Sequence, residues 1–169
     1  MLPAKLKDFI LYNDAQSYVG EVGELSLPKL ARKMEGWRGG GMQGEVKVDM
    51  GQEPLDFEWT VGGLGIQGLR QYASTDISGT MLRFMGAYQR EDGSAPYAVE
   101  VIARGRHEEI DFGTQKAGGD TETKFKTSCT YYKLVIDGEV IIEIDMLGHI
   151  QVIGGIDRFA SIRAALGLI

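Results

Sequence analysis

Four groups of residues have the types and spacing that could support chemistry. Gly63-Leu64-Gly65-Ile66-Gln67-Gly68 fits the G-x-G-x-x-G pattern, in which glycines let a backbone approach a pyrophosphate at a helix N-terminus. It follows a predicted strand and opens a predicted helix. A dinucleotide site also needs a crossover helix, a parallel strand and an acidic residue about 20 positions on. The next strands read as antiparallel and no such acid stands out, so the pattern is expected to be a strand-to-helix corner.

His107-Glu108-Glu109 and His149 are the histidine neighbourhoods, and neither has a second His at ligand spacing. His107 is therefore expected at a solvated strand end. Cys129 alternates with Phe125 and Tyr131, as a small buried hydrophobe would, and no oriented base accompanies it. Asp56, Glu58, Glu100, Glu108 and Glu109 carry charge for Ca²⁺, but no D-x-D-x-D-G loop organises them. They are expected on a solvated sheet face, and no catalytic residue, metal or cofactor is expected.

The elements that would position these residues are mostly strands. Thr80 to Arg90 alternates Leu82, Phe84, Gly86, Tyr88 against Met81, Arg83, Met85, Ala87, Gln89, and Tyr97 to Glu108 alternates in the same way. The two predict an antiparallel hairpin. A second is predicted where Tyr131 to Ile136 and Glu139 to Ile144 flank Asp137-Gly138, a dipeptide suited to a type I′ turn. That turn sets Ile136 opposite Glu139 and Val135 opposite Val140. The first arm extends back through Thr121 to Thr130 as one long strand. Ser17 to Leu27 and Lys29 to Glu35, broken at Pro28, read as strands, as do Val46 to Met50 and Leu55 to Val61.

Helices are expected at Leu64 to Ala73 and at Arg158 to Leu166. The second has Asp157 as N-cap acceptor and Gly167 at the left-handed C′ position. The fold class is thus mainly β with minor α: long antiparallel strands in a barrel or sandwich-like arrangement, with one short and one C-terminal helix. With 169 residues and no repeat, a single domain over 1–169 is expected.

Composition narrows the function. The net charge is −6, with nine acidic against five basic groups between residues 51 and 110. A protein that grips nucleic acid through phosphates needs a basic face, so any DNA it meets should pass without being held. Residues 1 to 15 interleave Lys5, Lys7, Asp8 and Asp14 with apolar positions, so no signal peptide, no membrane span and a cytoplasmic product are expected. The 24 glycines are roughly double the ~7% of ordinary proteins. They cluster at Gly62 to Gly68 and in Glu35 to Gly44, a pliable segment with five of them that embeds Trp37 and Met42 as large apolar anchors and is a candidate for ordering against a partner.

Taken in order, Lys5 to Asp14, Leu27-Pro28-Lys29-Leu30, Trp37-Arg38-Gly39-Gly40-Gly41-Met42, Val46 to Gly51, Tyr131 to Leu134, Glu143-Ile144-Asp145, and Gly155-Ile156-Asp157 through Gly167-Leu168 give a chain that resembles the major tail tube proteins of contractile-tailed phages and the related tubes of R-type bacteriocins. The likeness runs over nearly the full length, with Trp37 where Tyr is expected.

The resemblance implies a structural virion protein, found in the virion tail and assembled in the bacterial host cytoplasm. Hexameric rings of it would close an inter-subunit β-barrel and stack into a hollow tube. Its implied partners are copies of itself, the tail sheath, and baseplate and tail terminator proteins, with DNA passing through the lumen and no membrane involved. The contacts between rings and subunits are expected from Trp37, Arg38, Gly39, Gly40, Gly41, Met42, Val46, Lys47, Val48 and Asp49, assisted by Leu2, Phe9, Leu168 and Ile169 at the ends. A headless bacteriocin tube would ask for the same inert lumen, and a type VI secretion-like tube would share the ring, although the Arg38-Gly39-Gly40-Gly41-Met42 loop argues for the phage branch. A nucleotide-binding enzyme built on the Gly63 loop is the alternative from another class.

Overall fold

Strands form wherever the alternation of apolar and polar residues persists. A computed structural model describes residues 1–168. Among them the chain forms β1 (Lys5–Asn13), β2 (Gln16–Ser17), β3 (Val22–Ser26), β4 (Arg32–Trp37), β5 (Val46–Gln52), β6 (Leu55–Gly62), α1 (Ile66–Arg70), β7 (Thr80–Gln89), β8 (Tyr97–Asp111), β9 (Glu122–Ile136), β10 (Glu139–Asp145), β11 (Ile150–Ile153), β12 (Ile156–Asp157) and α2 (Ala160–Ala165).

The β9–β10 hairpin has the register the turn dipeptide predicts, with Ile136 opposite Glu139 and Val135 opposite Val140. Asp137 and Gly138 take φ of 49° and 81°, as a type I′ turn requires. The Asp137 carboxylate accepts the Ala98 N–H at 2.8 Å, which stitches the turn onto β8. In β7 the buried face is Thr80, Leu82, Phe84 and Gly86, and in β8 it continues through Val99, Val101 and Ala103. Both faces match the alternation.

All pairings are antiparallel, and the main sheet runs β12-β11-β10-β9-β8-β7-β1-β2. It forks at β9. The first half of β9 pairs with β6, which in turn holds β3, and the second half pairs with β10. Because β2 and β3 sit at opposite ends of the lower arm and only Tyr18 to Glu21 join them, the sheet must curl back on itself, since four residues span at most about 14 Å. Hydrogen bonds from the Tyr18 N–H to the Leu11 carbonyl (2.9 Å) and from the Gly62 N–H to the Glu21 carbonyl (2.7 Å) tie this seam. Inside the curl lie Leu11, Leu55, Phe57, Trp59, Leu82, Phe84, Val101 and Phe125, each 2% exposed or less. Each large apolar side chain so buried contributes about 1.5–3 kcal/mol.

One close approach is absolute. Gly105 lies where the β8–β9 register shifts, and a Cβ there would strike the Ser128 carbonyl on the neighbouring strand. Backbone cannot swing aside as a side-chain tip can. Gly105→Ala is therefore expected to cost about 3 kcal/mol or more, the upper end of overpacking, read as a lowered urea midpoint.

The structure departs from the sequence expectations in several elements. Lys5–Asn13, not expected as a strand, is β1. A register shift between Leu6 and Asp8 breaks its alternation, and Asn13 replaces an apolar residue at a fully buried position. β11 was also not anticipated, since all four of its residues are half-buried and no alternation shows. The expected strand from Ser17 to Leu27 is interrupted at the seam, where Gly20 takes φ of 79°. Both helices are shorter than expected. Asp157 does not cap α2, whose N-cap is Phe159 with no side-chain bond. Asp157 instead accepts the Phe159 N–H and binds Arg163, six residues on. At the other end, the Gly167 N–H reaches Ala164 and the Leu168 N–H reaches Arg163, the paired bonds of a Schellman ending.

Candidate assembly surfaces

The four chemical candidates resolve into packing. β6 pairs antiparallel with β3 and β9, so the glycine pattern lies in no βαβ unit, and α1 spans five residues. Its glycines serve close packing: a Cβ on Gly68 would overlap the Phe125 ring, and one on Gly65 would crowd it. Cys129 is 4% exposed, and burial pushes its thiol up to about 12. Among the described residues no group of three His, Cys, Asp or Glu could hold a metal ion. No helix among them is long and apolar enough to cross a membrane.

His107 is not at a solvated strand end. It is 4% exposed and hydrogen-bonded on both nitrogens, Nδ1 to Thr127 Oγ1 and Nε2 to Gln71 Oε1, each at 2.8 Å. A carbonyl oxygen can only accept, so Nε2 carries the proton and Nδ1 accepts from the Thr127 hydroxyl. Thr127 in turn receives the Trp59 indole N–H at 3.2 Å. On the far side Gln71 exchanges bonds with Asn13 and donates to Asp14, and Asn13 donates to Tyr18. Burial lowers the His107 pKa to about 4, so the ring is neutral at physiological pH. The local signals His107-Glu108-Glu109 point to none of this, because the partners lie on β1, on β9 and beyond α1.

The segment singled out for its glycines forms a two-stranded sheet of its own. β4 and β5 pair only with each other. Trp37 belongs to β4, opposite Val46, and is not in the loop as expected. Gly36, inside the strand, is what makes the strand read as loop. The turn at the tip is shaped by the Met42 N–H bonding to the Gly39 carbonyl (3.3 Å) and by the Gly39 N–H reaching the Met42 sulfur (3.0 Å). Arg38 donates to the Met42 carbonyl, and Gly40 and Gly41 occupy the turn.

Residues opposite one another in an antiparallel pair share a face. One face of this ribbon therefore carries Trp37, Val46, Val48 and Met50, which are 62%, 50%, 43% and 54% exposed, with Glu35 opposite Val48 beside them. Lys47 and Asp49 fall on the other face, where Arg32 binds the Asp49 carboxylate at 2.9 Å. Hydrogen bonds from Arg32 and from the Gly51 N–H hold Asp49 below the usual carboxylate range. Sequence reasoning thus collected both faces, although the apolar residues gather on one, with Met34 alone on the other opposite Asp49. Met50 completes the stripe and is found from its spacing with Val46 and Val48.

Of the terminal residues, Leu2 and Leu168 are exposed. Phe9 is half-buried and stacks on Phe84 with ring centroids 5.7 Å apart, so its ring is engaged within the subunit. Ile169 lies outside the described residues. Sequence reading missed the edge of β1. From Lys5 to Leu11 that edge has no partner strand among the described residues, because β2 covers only Tyr12 and Asn13. Open edges of this length are templates for another chain.

On the outside of the lower arm, Glu24, Asp56, Glu58, Glu108, Glu109 and Asp111 surround Lys124 and Lys126 on a solvated face, as expected for the middle-strand acids.

The family model for "Phage tail tube protein FII" matches residues 3–167. The chain belongs to this family. It is 41% identical to the tail tube protein of Escherichia phage P2, with 99% of each chain covered. It is 39% identical to the major tail tube protein of Serratia phage KSP20, covering 99% of this chain and 98% of that one. The phage tail tube family is a structural one, not a family of enzymes, and this chain is a structural component of the virion tail.

Among solved structures, a sheath/tube terminator of an extracellular contractile injection system in its extended state aligns with TM-score 0.57 over 78% of this chain and 94% of that one, at 6% identity. The sheath-tube complex of that system gives 0.55 over 76% and 87%, also at 6%. At such identity the likeness concerns the fold: the same antiparallel β architecture. The expectation of a mainly β tail tube protein holds.

Proposed function

We propose that this tail tube protein forms hexameric rings that stack into the hollow inner tube of a contractile tail, through which DNA is ejected. The observation that carries this is the free-standing β4–β5 hairpin with Trp37, Val46, Val48 and Met50 exposed along one face. Apolar area of this kind costs solubility in a monomer and has value once covered by a partner. Here it reaches the adjacent ring, with Arg38 to Met42 as the conforming tip and Leu2 and the C-terminal Leu168 beside the joint.

The open edge of β1 supports ring closure, since a head-to-tail contact repeated around an axis leaves no edge exposed. The sheet face turned from the core on β7 to β10 carries Arg83, Glu100, Arg104, Lys133, Glu143 and Asp145, and Arg83 pairs with Glu100 at 3.1 Å. Such a charge-balanced wall suits a lumen, because it offers no basic stripe to a polyanion. The acidic lower arm then faces the tail sheath, and baseplate and tail terminator proteins meet the two ends of the tube. Assembly takes place in the host cytoplasm.

Deleting Gly39 to Gly44 and imaging the purified product by negative-stain electron microscopy tests the reading. Folded subunits or single rings without tubes are the expected result, and normal tubes would sink it.

A further inference from the structure

Exposed apolar side chains with no part in the subunit's own packing gather at the Gly62 end of β6. Leu64 and Ile66, on the excursion between β6 and β7, are 56% and 54% exposed, and Val19 in the seam is 66% exposed. The seam and the excursion come together at Gly62, whose N–H bonds the Glu21 carbonyl at 2.7 Å. We propose that this platform of Val19, Leu64 and Ile66 is the acceptor for the β4–β5 stripe of a second copy in the next ring, an inference that rests on the stacking proposed above.

The placement of the two surfaces follows from β6. The hairpin is rooted at its Leu55 end, where Ser26 pairs with Glu58 and the Glu53 N–H closes on the Ala31 carbonyl. The platform follows its Gly62 end, so roughly 23 Å of extended strand separates the two. A contact that repeats head to tail joins two different surfaces of the subunit, and in a stack these must lie at opposite ends. A second exposed apolar group, Ile156, Ile162 and Leu166 around α2, does not meet that condition. Phe159, at the start of α2, lines a cavity with Arg32, Gly51 and Gln52 of the hairpin root, which puts α2 at the same end as the stripe.

The platform is ordered before anything docks on it. Gly65 and Gly68 face the Phe125 ring, which fixes α1 against the core and leaves Leu64 and Ile66 outside. The Thr123 hydroxyl donates to the Gly63 carbonyl at 2.7 Å, and the Gly63 N–H donates to the Thr121 carbonyl at 2.8 Å. A surface fixed in this way loses little freedom on binding. Charge agrees with the pairing. Arg38, at the tip of the ribbon, meets no carboxylate among the described residues, and Glu21 and Glu122, on either side of Gly62, meet no cation there.

Two variants, purified separately and then mixed, test it. Leu64→Ser with Ile66→Ser keeps the stripe and removes the platform, whereas Trp37→Ala keeps the platform and removes the anchor of the stripe. Each alone is expected to give rings without tubes, since loss of the two platform side chains weakens every contact by about tenfold. In the mixture one joint is intact, the stripe of the platform variant on the platform of Trp37→Ala. Negative-stain electron microscopy is therefore expected to show stacks of two rings and none longer.

Normal tubes from the platform variant beside none from Trp37→Ala would overturn the acceptor while the hairpin's role stands, and would free the patch for a different partner. Tubes from Trp37→Ala would overturn the stacking and the acceptor together. Single rings alone in the mixture would also overturn the acceptor. Should the platform variant not fold or not close rings, Val46→Cys with Ile66→Cys in one chain decides, because Cys129 is buried and stays silent. Treated with a short bis-maleimide, its tubes are expected to give a ladder of linked subunits on a denaturing gel, and monomers only would overturn the proposal.

Discussion

Trp37→Ala subunits are expected to fold normally and to form no tubes. The indole is 62% exposed and lies beside Gly39 at the tip of its own hairpin. Its loss should shift the melting temperature by no more than about 2 °C, as a surface change of a few tenths of a kcal/mol would. Between subunits a buried Trp anchor is worth about 2–4 kcal/mol, and a ring that stacks through every subunit loses that at each one. Even the lower figure weakens each contact about 30-fold. Trp37→Tyr keeps an aromatic of similar area and should keep the tubes. Sedimentation and electron microscopy of the two variants, beside thermal melts, separate assembly from folding; tubes of normal length from the alanine variant would refute the role given to the stripe.

The largest expected loss of stability comes from Trp59→Ala, at about 4 kcal/mol. Trp59 is 1% exposed and stacks on Phe125 at 4.2 Å, with Tyr18 and His107 against its other sides. Truncation opens a cavity where β3, β6, β9 and the seam meet, and it strips Thr127 of a donor. Trp59→Phe keeps one ring against Phe125 and removes the second ring together with the indole N–H, so an intermediate loss of about 2 kcal/mol is expected. Equilibrium urea unfolding with an unchanged slope would report both, and equal losses in the two variants would contradict the weight given to ring packing.

What the chain reveals in advance depends on how local the cause is. The β9–β10 register was legible because Asp137-Gly138 dictates the turn and the turn dictates the pairs. The faces of β7 and β8 were legible because their alternation is unbroken from Leu82 to Phe84 and from Val99 to Ala103. β1 was obscured by one register shift, which moves Lys5 and Leu6 out of phase with Phe9 and Leu11. The stripe of Trp37, Val46, Val48 and Met50 was only half legible. Composition and resemblance located the segment, but its division into an apolar and a charged face depends on the pairing of β4 with β5, which begins beyond a shift at Arg32 and Met34. His107 could not be read at all. Its environment is built by Gln71 and Thr127, 36 and 20 residues away, and no spacing rule connects them.

The place where the hairpin leaves the barrel has a consequence for how such subunits diversify. Ser26, at the end of β3, pairs with Glu58 on β6, so the chain departs and returns through adjacent strands of one sheet. The Glu53 N–H and the Gln52 side chain both close on the Ala31 carbonyl, drawing the two legs together at the root. Everything between is a cassette mounted on a fixed socket. Ribbons of other lengths and other apolar faces can be exchanged there while the buried core stays as it is, so under the assembly proposed above a change of one peptide would reset the grip between successive rings and leave the barrel unaltered.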